Sequence, residues 1–595
     1  MLGLVRRSAH ILGTGFWRRW LLLVALALLV SALEATGAVM VFLLIGLVTG
    51  SDDLSVPVVG DIAAVLPQAD RGDQLLVVSA VIAVFFLVRA GIMLTQTYCQ
   101  SRVAHNAGAR LSKRLLDGYL SMPYSFHLQR NSAELIRNAF DSTQVFVREL
   151  LIPSTRVVSE ALIAVGLVIV LLMTAPVAAL LALVVLVPIT YVVLRVVHPK
   201  VKQLGSTRQQ LAKASLQTLQ QCLGAMRDIK VLGRDRTFSL EYARQQRGFA
   251  RAQYLREFAR AIPKQVIETS LMLFIVGFFV VTILRGGSTE GMLTVLGLFA
   301  YVALRIKPPL TNILSGLNAI KFAVPAVDDL YRDVILFGPP RTPRARRDEE
   351  RLPFRDEIRI ENVSFRYEST LEHALTGIDL RIRHGESIGI VGPTGGGKST
   401  LADLLLGLLS PTTGRLLVDG ADIAEHTDAW QANLGVVSQS VFITDDTLRR
   451  NICLGLPDDE IDPGRLEEAI AMAQLTGFVG ELPEGVETFL GERGVRVSGG
   501  QRQRIAIARA LYHQPSVLVF DEGTSALDTI TEREVVAALE ALRGRRTIVT
   551  IAHRLSTIRA CDRIILLQRG RICDAGSYDD LLRRNLDFRA MAAVG

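Results

Sequence analysis

The chain has 595 residues, half of them hydrophobic, with a formal net charge of +8. That length exceeds what one hydrophobic core supports, and a mean hydropathy of +0.33 excludes a disordered chain or a simple soluble domain. Five cysteines (Cys99, Cys222, Cys453, Cys561, Cys573) with no C-x-x-C spacing exclude a disulfide framework and a zinc ribbon, and predict free thiols.

In chain order, the first half carries apolar runs that reach the roughly 20 residues needed to cross a bilayer as a helix. We read six spans, at about 20–49, 74–100, 151–173, 177–197, 265–285 and 292–316. Basic residues precede the first run, which makes a signal peptide the competing reading; the run continues to Val48, far beyond an h-region. "WRRW", Trp17 to Trp20, reads instead as an interfacial belt at the start of a true span. The segment 101–149 holds seven Lys/Arg and 198–264 holds fourteen, against five Asp and one Arg in 50–73. The positive-inside bias therefore places both large loops and both termini in the cytoplasm, and the net positive charge needs no nucleic-acid partner. "VPVVGDIAAVLPQ", 56–68, reads equally as an ordinary outer loop or as a short amphipathic helix on the membrane surface.

The two long loops have helical periodicity without strong turn signals, so the membrane helices are expected to run on into the cytoplasm and reverse through short turns. "GPPRTPRARRDEERLP", 338–353, is proline-rich and charged, the mark of a linker. Beyond it, short β-branched runs such as "SIGIVG" and "SVLVFD" alternate with helical patterns, which predicts an α/β domain with a largely parallel sheet. The expected architecture is an all-α six-helix transmembrane domain with long cytoplasmic extensions over 1–335, a linker over 336–356, and an α/β domain over 357–595, which the glycine motif at Gly392 to Thr400 makes a P-loop nucleotide-binding domain.

"GPTGGGKST", Gly392 to Thr400, matches the phosphate-binding pattern G-x-x-x-x-G-K-[ST] between a strand and a helix. Main-chain N–H groups around Gly392, Thr394, Gly395 and Gly397 would wrap the phosphates of a nucleoside triphosphate, with Thr400 alongside. Lys398 would neutralise the β and γ groups, and Ser399 would offer a hydroxyl to Mg²⁺. "SVLVFDEG", 516–523, ends a buried strand in Asp521, placed to face Mg²⁺, and Glu522, placed to polarise the attacking water. "VRVSGGQRQR", 495–504, puts Ser498, Gly499 and Gly500 at the start of a second helix, a further ready anion site.

These motifs together resemble those of ATP-binding-cassette exporters. "VSGGQ", 497–501, is similar to the family's signature, with Val497 where Leu is usual. "SALD", ending in Asp528, resembles its D-loop; Gln439 in "VVSQS" its Q-loop glutamine, also a metal ligand; and His553 in "TIAHR" its switch histidine. Tyr367 in "VSFRY" stands where the family places an aromatic that stacks on adenine. The resemblance implies that Ser498, Gly499, Gly500 and Gln501 serve the ATP bound by a second cassette. One cassette and one set of spans then imply a half-transporter that works as a dimer, most simply a homodimer. "TFLGERG", 488–494, resembles the exporters' segment before the signature, while "FHLQRNSAELIRNAFDS" and "GAMRDIKVLGRD" resemble coupling regions.

The cargo is less legible. Charges within spans are functional hypotheses by default: Glu34, Arg89, Glu160, and Arg305 with Lys307. Facing a cavity, the cations, with Arg260 and Lys264 at the start of the fifth span, would favour an anionic head group; near the interface, Arg305 and Lys307 would merely snorkel. "LEATG" in the first span and "IKVLGRD" are similar to flippases of lipid-linked oligosaccharides, which implies a polyprenyl-pyrophosphate cargo within a bacterial-type cytoplasmic (inner) membrane. Other lipids, lipid A-like glycolipids, drugs, or a non-transporting regulatory ATPase are the alternatives.

Overall fold

The computed structural model describes residues 2–13, 15–49, 71–174, 176–284, 289–338, 351–368, 370–491, 494–521, 537, 540, 542–552 and 555–594. The chain divides into two compact units, Met1–Met122 with Gln129–Pro343, and Pro123–Leu128 with Arg344–Gly595.

The first unit is all helix. A short amphipathic helix α1 (Leu2–Leu12) precedes α2 (Gly15–Thr49) and α3 (Arg71–Ser121). Helix α4 (Tyr124–Gln129) falls almost wholly in the second unit; in the first, a continuous helical run begins with α5 (Ser132–Arg137) and passes through two π-helical segments, Asn138–Ser142 and Phe146–Leu151, into α6 (Ile152–Thr174). There follow α7 (Pro176–Gly224), α8 (Met226–Leu232), α9 (Asp235–Leu284) and α10 (Thr289–Leu336). The long helices far outrun a bilayer, as the loop periodicity required. α7 carries Pro188 and Pro199, α9 Pro263, and α10 Pro308, Pro309 and Pro325, all accommodated within helix.

Among the described residues, four segments are long and apolar enough to cross a membrane: Arg18–Val41, Leu75–Ser121, Ser132–Val170 and Ile306–Leu336. The last differs from the expected 292–316 because the mid-helix side chains before Ile306 lie outside the described residues. The expected fourth and fifth spans fall in α7 and α9, where many side chains are likewise not described, and 56–68 lies wholly outside.

Close approach at small residues knits the bundle. At Gly205 on α7 an added Cβ would stand 2.4 Å from the Phe322 carbonyl oxygen of α10, so no larger residue fits that crossing. A buried polar node joins α3, the first π segment, α7 and α10. Asp333 accepts hydrogen bonds from the Tyr119 hydroxyl and the Asn138 amide, each at 2.7 Å. Arg137, 5% exposed, donates to Asp329 at 3.1 Å and to the Gln209 carbonyl at 3.1 Å. Such groups are tolerated in a core because each has a partner.

The second unit holds two sheets. One is four-stranded and antiparallel, in the order β2 (Leu375–Arg383), β1 (Glu357–Phe365), β4 (Thr413–Val418), β5 (Ala421–Asp422). The other runs β10 (Arg571–Gly576), β9 (Arg563–Gln568), β3 (Ser387–Val391), β8 (Thr547–Ile551), β7 (Val517–Asp521), β6 (Leu434–Val437), parallel throughout except β10. The parallel sheet is the expected one; the antiparallel sheet is additional to the sequence reading. Every residue of β3 and β8 is buried, as strands covered on both faces require. Helices α11 (Lys398–Leu405), α12 (Leu448–Ile452) and α13 (Gly499–Tyr512) follow or flank these strands. All five cysteines are free thiols.

Candidate functional site

In an open parallel sheet, ligands bind outside the carboxyl ends of the strands. Four adjacent parallel strands here, β3, β8, β7 and β6, end in the segments that the motifs single out. Gly392 follows β3, Asp521 closes β7, and Gln439 lies just past β6. Glu522, Asp528 and His553 lie outside the described residues; the strands preceding Glu522 and His553 end at Asp521 and Ile551.

The glycine loop has the shape its motif predicts. Gly392 takes φ 153° and its missing Cβ would lie 1.9 Å from the Leu567 carbonyl oxygen of β9, so only glycine turns the chain there. Gly397, at φ 99°, caps α11, and Gly395 opens onto free space. Lys398 is 5% exposed, and its ammonium donates back across the loop to the carbonyls of Gly392 at 2.9 Å and Pro393 at 3.1 Å. Thr394 and Ser399 are exposed, whereas Thr400 is buried. A cation held at the centre of a ring of small residues, beside a helix N-terminus, fits a polyphosphate.

Tyr367 sits just past β1. Its hydroxyl shares a 3.1 Å hydrogen bond with Thr400 Oγ1, and its ring meets Phe365 edge-on at 4.9 Å. The aromatic is therefore anchored to the phosphate-loop helix. Sequence reasoning missed Asp403, one turn into α11. Burial, and then the charge of Asp521, push its carboxyl up to about 6. In "TLADLLLG" it looks like an ordinary polar position; only the tertiary fold brings it near Asp521. Oxygen donors at Ser399, Gln439 and Asp521 are of the type Mg²⁺ takes.

Ser498 is the N-cap of α13. Its Oγ accepts from the Gln501 amide at 3.2 Å while Gln501 Oε1 accepts from the Ser498 amide at 2.8 Å, a reciprocal capping box. Ser498 and Gly499 are exposed and Gly500 is buried, so this helix start is open to a ligand on one side.

In the first unit, Arg89 and Glu34 form an ion pair between α3 and α2, with side chains 13% and 10% exposed, and the guanidinium lies 5.3 Å from the Phe86 ring centre. Lys307 pairs with Glu268 at 2.9 Å, and Asn312 donates to Glu160 at 2.7 Å. The reading of Arg89 as a cation facing the cargo thus changes, because burial in a low dielectric selects a neutralising partner; Lys307 and Glu268, 31% and 38% exposed, are paired without being buried. Two opposite charges at mid-span in consecutive helices were the available signal. Arg260 and Lys264 are exposed; the Arg305 side chain lies outside the described residues.

A multi-pass membrane helix bundle in one chain with a P-loop α/β ATPase defines an ATP-driven transporter. Residues 375–525 match the ABC transporter family and residues 20–304 the ABC transporter transmembrane region. The chain belongs to the ABC transporters, as an exporter that couples ATP hydrolysis to transport. An "ATP-dependent lipid A-core flippase" of Ralstonia nicotianae is 32% identical over 568 residues, 93% of each chain. A protein of the same description from Cupriavidus metallidurans is 30% identical over 93% of this chain and 92% of its own. The "Mitochondrial potassium channel ATP-binding subunit" of Xenopus tropicalis is 44% identical over 238 residues, 39% of this chain and 34% of that one. Among solved structures, a bacterial Atm1-family ABC exporter with ATP bound matches with TM-score 0.77 and 25% identity, covering 98% of this chain and 99% of the other.

Proposed function

We propose that the chain is one half of a homodimeric flippase that carries an anionic glycolipid from the inner to the outer leaflet of a bacterial inner membrane. The observation that carries this reading is the match to lipid A-core flippases across 93% of the chain. The working division is a transmembrane domain over 1–335, a linker over 336–356 and a cassette over 357–595, with both termini and the cassette cytoplasmic.

The single cassette and the exposed signature segment support the dimer. Lys398, Gly392, Thr394, Gly395, Gly397 and Thr400 hold the phosphates, and Tyr367 takes the adenine. The exposed Ser498 and Gly499, with Gly500 and Gln501, complete the site of the partner subunit, to which Asp528 also contributes. Ser399, Gln439 and Asp521 would hold Mg²⁺, which would supply positive charge to the phosphates. Glu522 orients the attacking water and takes its proton, and His553 stabilises charge at the γ-phosphate. Closure of the two cassettes favours an outward-turned cavity, and hydrolysis resets it.

The cargo is tested in proteoliposomes with two lipids, a lipid A-type phosphoglycolipid and a polyprenyl-pyrophosphate oligosaccharide. ATP-dependent movement of either, absent in Glu522→Gln, supports the flippase and tells the two apart. Hydrolysis that moves neither overturns it. The match of the cassette to a channel subunit favours a second reading, a gating ATPase, which vectorial lipid movement would exclude.

A further inference from the structure

The stretch after Gln439 has no regular secondary structure until α12, yet it is fastened on several sides. Asn451, fully buried, closes it from within. Its Oδ1 accepts from the Thr444 amide at 2.9 Å and hydroxyl at 3.0 Å, and its Nδ2 donates to the Thr444 and Thr447 carbonyls, each at 3.1 Å. Arg509, near the end of α13, fastens it to the helix that Ser498 begins. Its guanidinium donates to the Asn451 carbonyl at 2.8 Å and to the Phe442 carbonyl at 3.0 Å. Among the described residues no carboxylate lies within ion-pair distance of Arg509, so its charge is committed to these two main-chain oxygens. On the opposite side the Leu448 amide donates to the Thr488 carbonyl at 3.0 Å and the Leu490 amide to the Asp446 carbonyl at 3.1 Å. Arg449 adds ion pairs to Glu487 at 2.6 Å and Asp458 at 2.9 Å.

Asn451 closes the stretch on itself, Arg509 ties it to α13, and Arg449 and the two main-chain bonds tie it to residues 487–490, with Asp458 a second partner of Arg449; none of these bonds runs to β6, the strand that Gln439 leaves. A planar guanidinium is the side chain suited to bridge two carbonyls at fixed spacing; an ammonium is a point donor and holds one or the other. We infer that Arg509 is a positioning residue of the ATPase cycle. It makes the segment after Gln439 move with the signature helix, so that engagement of Ser498 by nucleotide is felt at Gln439. This rests on the assignment of Gln439 and Ser498 to the nucleotide sites.

The test uses the full chain in nanodiscs with its cysteines replaced by serine and a nitroxide at Ser440→Cys, with and without Arg509→Lys. The probes are ATP with Mg²⁺, alone and with orthovanadate. We expect trapping to immobilise the label when Arg509 is present and not in Arg509→Lys. The ATP KM should stay within about twofold while kcat falls about tenfold. An unfolding midpoint matched to the parent establishes that the fold is intact. If Arg509→Lys does not fold, Arg449→Gln is the second variant, expected to give the same split in smaller measure. Equal immobilisation in parent and variant, or a fall in kcat matched by a rise in KM, overturns the linkage alone. A label that does not respond to trapping even in the parent overturns the assignment of Gln439 and the linkage with it.

Discussion

The Arg89–Glu34 pair permits a quantitative test of whether mid-span charge in this bundle is structural. Both side chains are desolvated, at 13% and 10% exposure, so removing one leaves the other as an uncompensated charge in a low dielectric. Breaking a buried pair costs about 3–5 kcal/mol, while replacing both partners with apolar residues of similar volume is close to neutral. Loss of the guanidinium over Phe86 adds about 1 kcal/mol on the arginine side. Glu34→Leu and Arg89→Met should therefore each destabilise by about 3–5 kcal/mol, and the double variant should recover most of that, a coupling of at least about 2 kcal/mol. The assay is a mixed-micelle unfolding titration on the four proteins of the cycle, with ATPase activity recorded on each. Single effects that simply add, within about 0.5 kcal/mol, would refute the account of the pair as a structural unit. So would a stable Arg89→Met protein that hydrolyses ATP but has lost transport, which would return Arg89 to the cargo path.

Three further outcomes are expected. Glu522→Gln should bind ATP normally and lose hydrolysis by about 10²–10⁴-fold, with nucleotide retained through rapid gel filtration; ordinary turnover would remove Glu522 from its role. Gly392→Ala should cost about 3 kcal/mol or more and abolish ATP binding, because its Cβ would meet the Leu567 carbonyl oxygen at 1.9 Å; equilibrium binding of a fluorescent ATP analogue checks this. Asp403, whose carboxyl is pushed from 3.8 to about 6, binds its proton more tightly folded than unfolded. Its contribution is thus intact below about pH 4, is lost as pH rises to about 6, and is constant above. Asp403→Asn should flatten nucleotide-free stability over that window and add about 2 kcal/mol or less at pH 7.5; unchanged pH profiles by scanning fluorimetry would contradict the burial argument.

What the sequence made legible was whatever depends on short-range pattern. The β3 run, the glycine spacing to Lys398 and the apolar strand ending in Asp521 each carry their geometry locally, and the parallel order of β3, β8, β7 and β6 brings their carboxyl ends together. The long helical extensions were readable because α3, α7 and α9 keep helical periodicity well past the bilayer. Illegible features were those set by distant partners. Helix α1 looked like a basic lead-in to the first span, but Ile11 is buried and its carbonyl accepts from Arg114 of α3 at 2.9 Å. Asp403 acquires its character only beside Asp521, and Arg509 is one arginine among several in "QRQRIAIARA" until Phe442 and Asn451 are folded against it.

The two π-helical segments ahead of α6 have a consequence of their own. A residue absorbed in a π turn rotates everything after it by about 100°, the angular step of one residue in a 3.6-residue helix. The azimuth of α6, which points Glu160 at Asn312 and sets Ile163 and Leu167 against Val30 and Ala38, is therefore fixed by how Asn138–Ser142 and Phe146–Leu151 are wound. A one-residue deletion there would act less as a shortening than as a turned key. It would swing the polar and apolar stripes of an entire membrane helix onto the wrong neighbours while leaving its sequence and hydropathy untouched.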